Sequence, residues 1–87
     1  MKIKHLEWRE RELDAFEAKV SSLRVEYHVD IWAGMWEVDV YEFSPEGGWL
    51  YDHGLGNDYP DKEDAMKACQ EDYEQRVRVV LEEVLEE

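Results

Sequence analysis

The sequence predicts an α+β domain, an antiparallel sheet of about four strands with one long C-terminal helix packed on its apolar face. Three observations predict it. Leu23, Val25, Tyr27, Val29 and Ile31 alternate with Arg24, Glu26, His28 and Asp30, the period of two expected of a strand buried on one side. From Met35 the alternation resumes, with Trp36, Val38 and Val40 set against Glu37, Asp39 and Tyr41. Beyond Pro60 the period changes: Ala65, Cys69, Tyr73, Val77, Val80, Leu81 and Val84 recur at helical spacing, with Ala68 beside them.

The N-terminal stretch, residues 3–20, admits two readings. Glu7 to Leu13 has strong helix propensity, and Leu6, Leu13, Phe16 and Val20 would share a helix face. As strands, Leu6 and Trp8 alternate with His5 and Glu7, and Phe16, Ala18 and Val20 with Glu17 and Lys19. A helix would leave Trp8 off its apolar stripe, so two strands are the preferred reading.

The strand from Leu23 to Ile31 reaches the next through Trp32-Ala33-Gly34, where glycine suits a tight hairpin turn with positive φ. If the two strands pair, Glu26, Asp30, Glu37 and Asp39 share the solvent face. Ser44 to Gly48 is a turn by composition, and Trp49-Leu50-Tyr51 a short strand. Asp52 to Pro60, with Gly54, Gly56 and Asn57, reads as a loop. Asp61 is the expected N-cap of the helix, and Glu63 and Asp64 complement the positive end of its dipole. The expected organisation is one domain over 1–87, with the sheet over about 3–52, a loop over 53–60 and the helix over about 62–85.

With 87 residues the chain has a thin core, and its 4 Trp, 5 Tyr and 2 Phe are what fill it. No apolar run reaches the ~20 residues of a membrane-spanning helix, and the start carries no signal-peptide pattern. The one cysteine, Cys69, has no partner for an internal disulfide. These features predict a cytoplasmic protein.

Charge is the unusual feature. The net charge of −13 comes from 23 acids against 10 bases, which opposes direct binding to nucleic acid or to an anionic membrane and favours a basic protein surface. No Lys or Arg occurs from Val25 to Asp61, a block that holds nine carboxylates. Alternate residues along a strand stand roughly 6.6 Å apart. That is near two axial steps of one DNA strand, at ~3.4 Å each. Carboxylates held at this spacing could enter a groove that evolved for phosphates.

Other chemistry is weakly marked. His53 with Asp52 and Asp58 lacks the ligand spacing of a zinc site or the order of an EF-hand loop, so no metal or cofactor is expected. Cys69 lies within the apolar helix stripe and reads as core rather than as a nucleophile. Gly47-Gly48 and Gly54-Leu55-Gly56 read as turns, not phosphate loops. No catalytic residue is expected. Trp32, Trp49, Tyr51 and Tyr59 fall in turns or loops, where exposed aromatics beside charge serve either packing or contact.

The order of features also carries a resemblance. Leu6-x-Trp8 is followed by a Tyr-containing and a Trp-containing strand. A Tyr59-Pro60-Asp61-Lys62-Glu63-Asp64-Ala65 entry then leads into Ala68-Cys69-Gln70-Glu71-Asp72-Tyr73-Glu74. This resembles a broad group of small acidic phage and prophage proteins in which a β-meander precedes such a helix. The resemblance implies a genomic context of proteins that interfere with host machinery, including anti-CRISPR-like anti-defence inhibitors, and a host cytoplasm as location.

The expectation is therefore an acidic protein-binding inhibitor, a nucleic-acid mimic directed at a host nucleic-acid-handling or defence complex. Glu26, Asp30, Glu37 and Asp39 would supply the charge, and Trp49 and Tyr51 the apolar anchors. The alternative is a small self-associating accessory domain, a homodimer, in which acidity only maintains solubility.

Overall fold

The computed structural model describes residues 3–84, and for 49–53 and 83–84 the backbone path alone. Five strands, β1 (Arg9–Glu12), β2 (Ala15–Val20), β3 (Val25–Trp32), β4 (Met35–Phe43) and β5 (Trp49–Tyr59), pair in chain order as an antiparallel meander. The helix α1 (Lys62–Val84) follows and crosses β3, β4 and β5. The architecture is α+β, with one strand more than the alternation indicates.

Short-range sequence sets the turns. Glu12 pairs with Ala15 around Leu13-Asp14, and Trp32 with Met35 around Ala33-Gly34. Asp14, Ala33 and Gly34 all take positive φ, at 57°, 52° and 82°. At Ala33-Gly34 the paired positive values match the right-handed twist of the flanking strands. Arg24, also left-handed at φ 54°, ends a short 3-10 turn (Ser21–Leu23), so β3 begins at Val25 rather than Leu23.

At the N-terminus the two-strand reading is right in kind, although the first strand is Arg9–Glu12 and not the Leu6–Trp8 stretch. Residues 3–8 run beside α1 instead. The Leu6 backbone N–H donates to Gln70 Oε1 at 2.9 Å, and Gln70 Nε2 donates to the Lys4 carbonyl at 3.2 Å. Leu6 is buried and Trp8 packs against the core. This segment and the helix together cover one face of the sheet.

The expected loop over 53–60 is a strand, and the sheet extends to Tyr59 instead of ending near 52. Its composition misleads because Gly56 serves a close approach. A Cβ on Gly56 would stand 2.9 Å from the Tyr59 ring, whereas one on Gly54 would meet only ordinary van der Waals contacts. Register shifts against β4 beside Trp36, Val38 and Asp39 absorb the irregular segment.

Ala18, Val25, Tyr27, Val29, Val38 and Val40 from the sheet, with Ala65 and Cys69 from the helix, form the core. The predicted helix stripe is buried only in its first half. Tyr73 packs on the core, but Val77 and Leu81 are half-covered and Val79 and Val80 are exposed. The Asp61 carbonyl accepts from Ala65 N–H at 3.2 Å, consistent with its place at the helix start.

A polar network fastens α1 to the sheet within this covered face. The buried Tyr27 hydroxyl donates to Asp72 Oδ2 at 2.6 Å, and Arg76 Nε donates to the same oxygen at 2.7 Å. Arg76 Nη1 reaches Glu42 Oε1 on β4 at 2.8 Å. Burial, then the hydrogen bond to Asp72, pushes the Tyr27 hydroxyl far above its ordinary range. Its carboxylate partners outweigh burial for Arg76 and hold the guanidinium charged.

Candidate functional site

The face of the sheet away from the helix is the candidate site, because charge gathers on it. Each residue is placed by strand alternation and by its register partner. Glu17 lies opposite His28 and Lys19 opposite Glu26 across β2 and β3. Glu26 lies opposite Tyr41, His28 opposite Asp39 and Asp30 opposite Glu37 across β3 and β4. The four acids expected to share a face, Glu26, Asp30, Glu37 and Asp39, therefore do so. They are half-buried by their neighbours rather than fully exposed.

This face divides into two halves of different electrostatics. On the β1–β2 side, Arg9 Nη2 donates to Glu17 Oε1, and Glu17 is only 5% exposed. The Arg9 hydrogen bond outweighs burial and holds Glu17 below its ordinary pKa of 4.5. Toward β4 the balance reverses for Glu37. Burial first, then the charges of Asp30 and Asp39, raises Glu37 above 4.5. Asp30 Oδ1 is a buried acceptor with no hydrogen-bond partner among the described residues. Beside Glu37 and Asp39 a shallow groove is bordered by Gly54, Gly56 and Asn57.

The block from Val25 to Asp61 is base-free in sequence but not in space. Arg9 and Lys19 reach the same face from β1 and β2, a juxtaposition hidden by their distance along the chain. The alternation of Phe16, Ala18 and Val20 with Glu17 and Lys19 was the signal for it.

Apolar side chains crowd the end of the sheet next to these acids. Trp32, paired with Met35 at the β3–β4 turn, is 74% exposed, and Leu13 in the β1–β2 turn is 87% exposed. Of the two expected anchors, Trp49 stands opposite Phe43 and Tyr51 opposite Glu42 in the β5 register. Their side chains lie outside the described residues. Trp32 is thus the exposed aromatic that the described residues bring nearest the acidic half.

His28 occupies the centre of the open face. Its ring meets Tyr41 edge-on with centroids 4.7 Å apart, and its Nε2 stands 3.2 Å from Glu26 Oε1 and 4.0 Å from Glu17 Oε2. The expected loop group of Asp52, His53 and Asp58 falls partly on side chains outside the described ones. Cys69 is fully buried, and burial pushes its thiol up to about 12, so it stays protonated and packs as core. No helix among the described residues is long and apolar enough to cross a membrane.

The fold and face define a two-layer α+β meander with one charged, uncovered sheet surface. Comparison with protein-family models, curated proteins and solved structures yields no match.

Proposed function

We propose that the chain is a binding protein whose open sheet face engages a basic protein surface, and that it acts as an inhibitor by occupying a site evolved for nucleic acid. One observation carries the reading: Asp30 and Glu37 stand directly opposite each other on β3 and β4, with Asp30 Oδ1 buried and without a hydrogen-bond partner among the described residues. Like charges directly across a sheet destabilise it, and an unsatisfied buried acceptor costs about 1–3 kcal/mol. A lysine or arginine supplied by a partner would relieve the like-charge pair on binding. Strand spacing supports mimicry of a phosphate row, and Trp32 supports an apolar anchor beside the charge. The phage resemblance implies a host nuclease or defence complex as the target class.

The test uses immobilised basic nucleic-acid-binding proteins as probes, with polylysine as a control for bulk charge. Capture of the parent chain at about 50 mM salt should be lost by about 500 mM as screening rises, and duplex DNA should displace it. The double variant Asp30→Lys, Glu37→Lys should remain folded by circular dichroism and fail to bind. Equal capture of parent and variant, or capture by polylysine alone, sinks the reading.

A second reading, self-association, is favoured by the exposed Leu13, Ile31, Trp32 and Met35 at one end of the sheet. A homodimer joined there would show twice the chain mass in light scattering and revert to monomer on Trp32→Ala.

A further inference from the structure

Glu17, Glu26 and His28 each offer one ligand atom, and the three atoms lie within 4.8 Å of one another. The donors come from two hydrogen-bonded strands, with Glu17 directly opposite His28 and Glu26 two residues before it on the same face. Their backbone positions are therefore fixed by the ladder and not by a loop.

We propose that this trio binds one divalent first-row transition-metal ion, with zinc as the type case. One imidazole nitrogen and two carboxylates, with solvent in the remaining position, are ligands that Zn²⁺ accepts. Around such an ion, ligand bonds of roughly 2.0–2.2 Å place neighbouring donors about 3.3–3.5 Å apart. His28 Nε2 already stands 3.2 Å from Glu26 Oε1 and 4.0 Å from Glu17 Oε2, so the Glu17–His28 gap must close by about half an ångström. Glu17 must also draw toward Glu26 from a separation within 4.8 Å. Rotation of side chains on fixed strands provides that movement.

The surroundings suit the assignment. Glu17 uses Oε1 for Arg9, so Oε2, the oxygen toward His28, is the one offered to an ion. Arg9 then acts as an outer hydrogen-bond donor that orients the ligating carboxylate. Tyr41 holds the imidazole edge-on, and the ring ligates through Nε2 as the neutral form with its proton on Nδ1. The competing arrangement is a protonated His28 paired with both glutamates, which needs no metal. The two differ in their response to added zinc.

Calorimetric titration of Zn²⁺ into the full chain, with Mg²⁺ in parallel, separates them. The expected result is saturation at one zinc ion per chain and little response to Mg²⁺. Affinity should fall at least roughly tenfold in His28→Ala and in Glu26→Gln, the scale expected when metal-site groups are lost. Amide resonances of β2 and β3 should shift while those of the helix stay still. Glu26 is partly exposed, so Glu26→Gln keeps the test valid if another variant fails to fold. Absence of zinc heat, zinc binding unchanged in His28→Ala, or equal binding of Mg²⁺ overturns the proposal, because each assigns the ion elsewhere or to diffuse acidity.

Discussion

The two faces of the sheet handle carboxylates in opposite ways. On the covered face, Asp72 and Glu42 are both held by Arg76, and Tyr27 adds a hydrogen bond from the core. On the open face, Asp30 faces Glu37 with no base between them. Asp72 and Glu42 tie the helix to the sheet, whereas Asp30 and Glu37 oppose the fold. The comparison teaches that acidity here is two populations: one, at Asp72 and Glu42, assists folding, and the other, at Asp30 and Glu37, opposes it.

Substitutions in the two populations should therefore change stability with opposite sign. The largest effect is expected from Arg76→Leu, which leaves Asp72 and Glu42 without their base and should cost about 2 kcal/mol in denaturant unfolding. Tyr27→Phe removes one hydrogen bond to Asp72 while keeping the ring packed, and should cost about 1 kcal/mol. On the open face the sign reverses. Glu37→Gln should stabilise by about 0.5 kcal/mol, since it relieves a like-charge cross-strand pair. If Glu37→Gln destabilises instead, the open-face acids contribute to folding and the comparison breaks.

The smallest effects are those of pH, and they sharpen the contrast within the open face itself. Glu37 has a folded pKa above 4.5, so its favourable contribution is complete below 4.5 and lost as pH rises through the raised value. Glu17 has a folded pKa below 4.5, so its contribution is present above 4.5 and lost as pH falls through the lowered value. Stability curves of Glu37→Gln and Glu17→Gln should depart from the parent in opposite directions near neutrality. Both should converge on it in acid. Parallel offsets at every pH would show that the two charges are not what distinguishes these positions.

Legibility of the fold followed the burial of one face. β3 and β4 were readable because a half-buried strand must alternate, and the helix because its first half does. β5 was readable only at its start, Trp49-Leu50-Tyr51, since Gly54, Gly56 and Asn57 are loop residues by composition. What makes them a strand is β4 alongside and the Tyr59 ring over Gly56. The four sheet-face acids followed from alternation alone. Their pairing needed the turn length: a two-residue turn at Ala33-Gly34 sets Asp30 opposite Glu37, and a shift of one residue would change every partner. The approach of Arg9 to Glu17 depends on the β1–β2 register, which the two-strand reading did not supply because it placed the first strand at Leu6–Trp8.

The position of Cys69 has a practical use. It is the one thiol in the sequence, fully buried between helix and sheet and held protonated. A thiol reagent can reach it only when α1 lifts away, so its labelling rate is a clock for that opening. A cysteine placed on the open face would react at once, giving a selective handle for a fluorophore while the native thiol stays silent. The same molecule would then report events on the open face from one side of the sheet and helix detachment from the other.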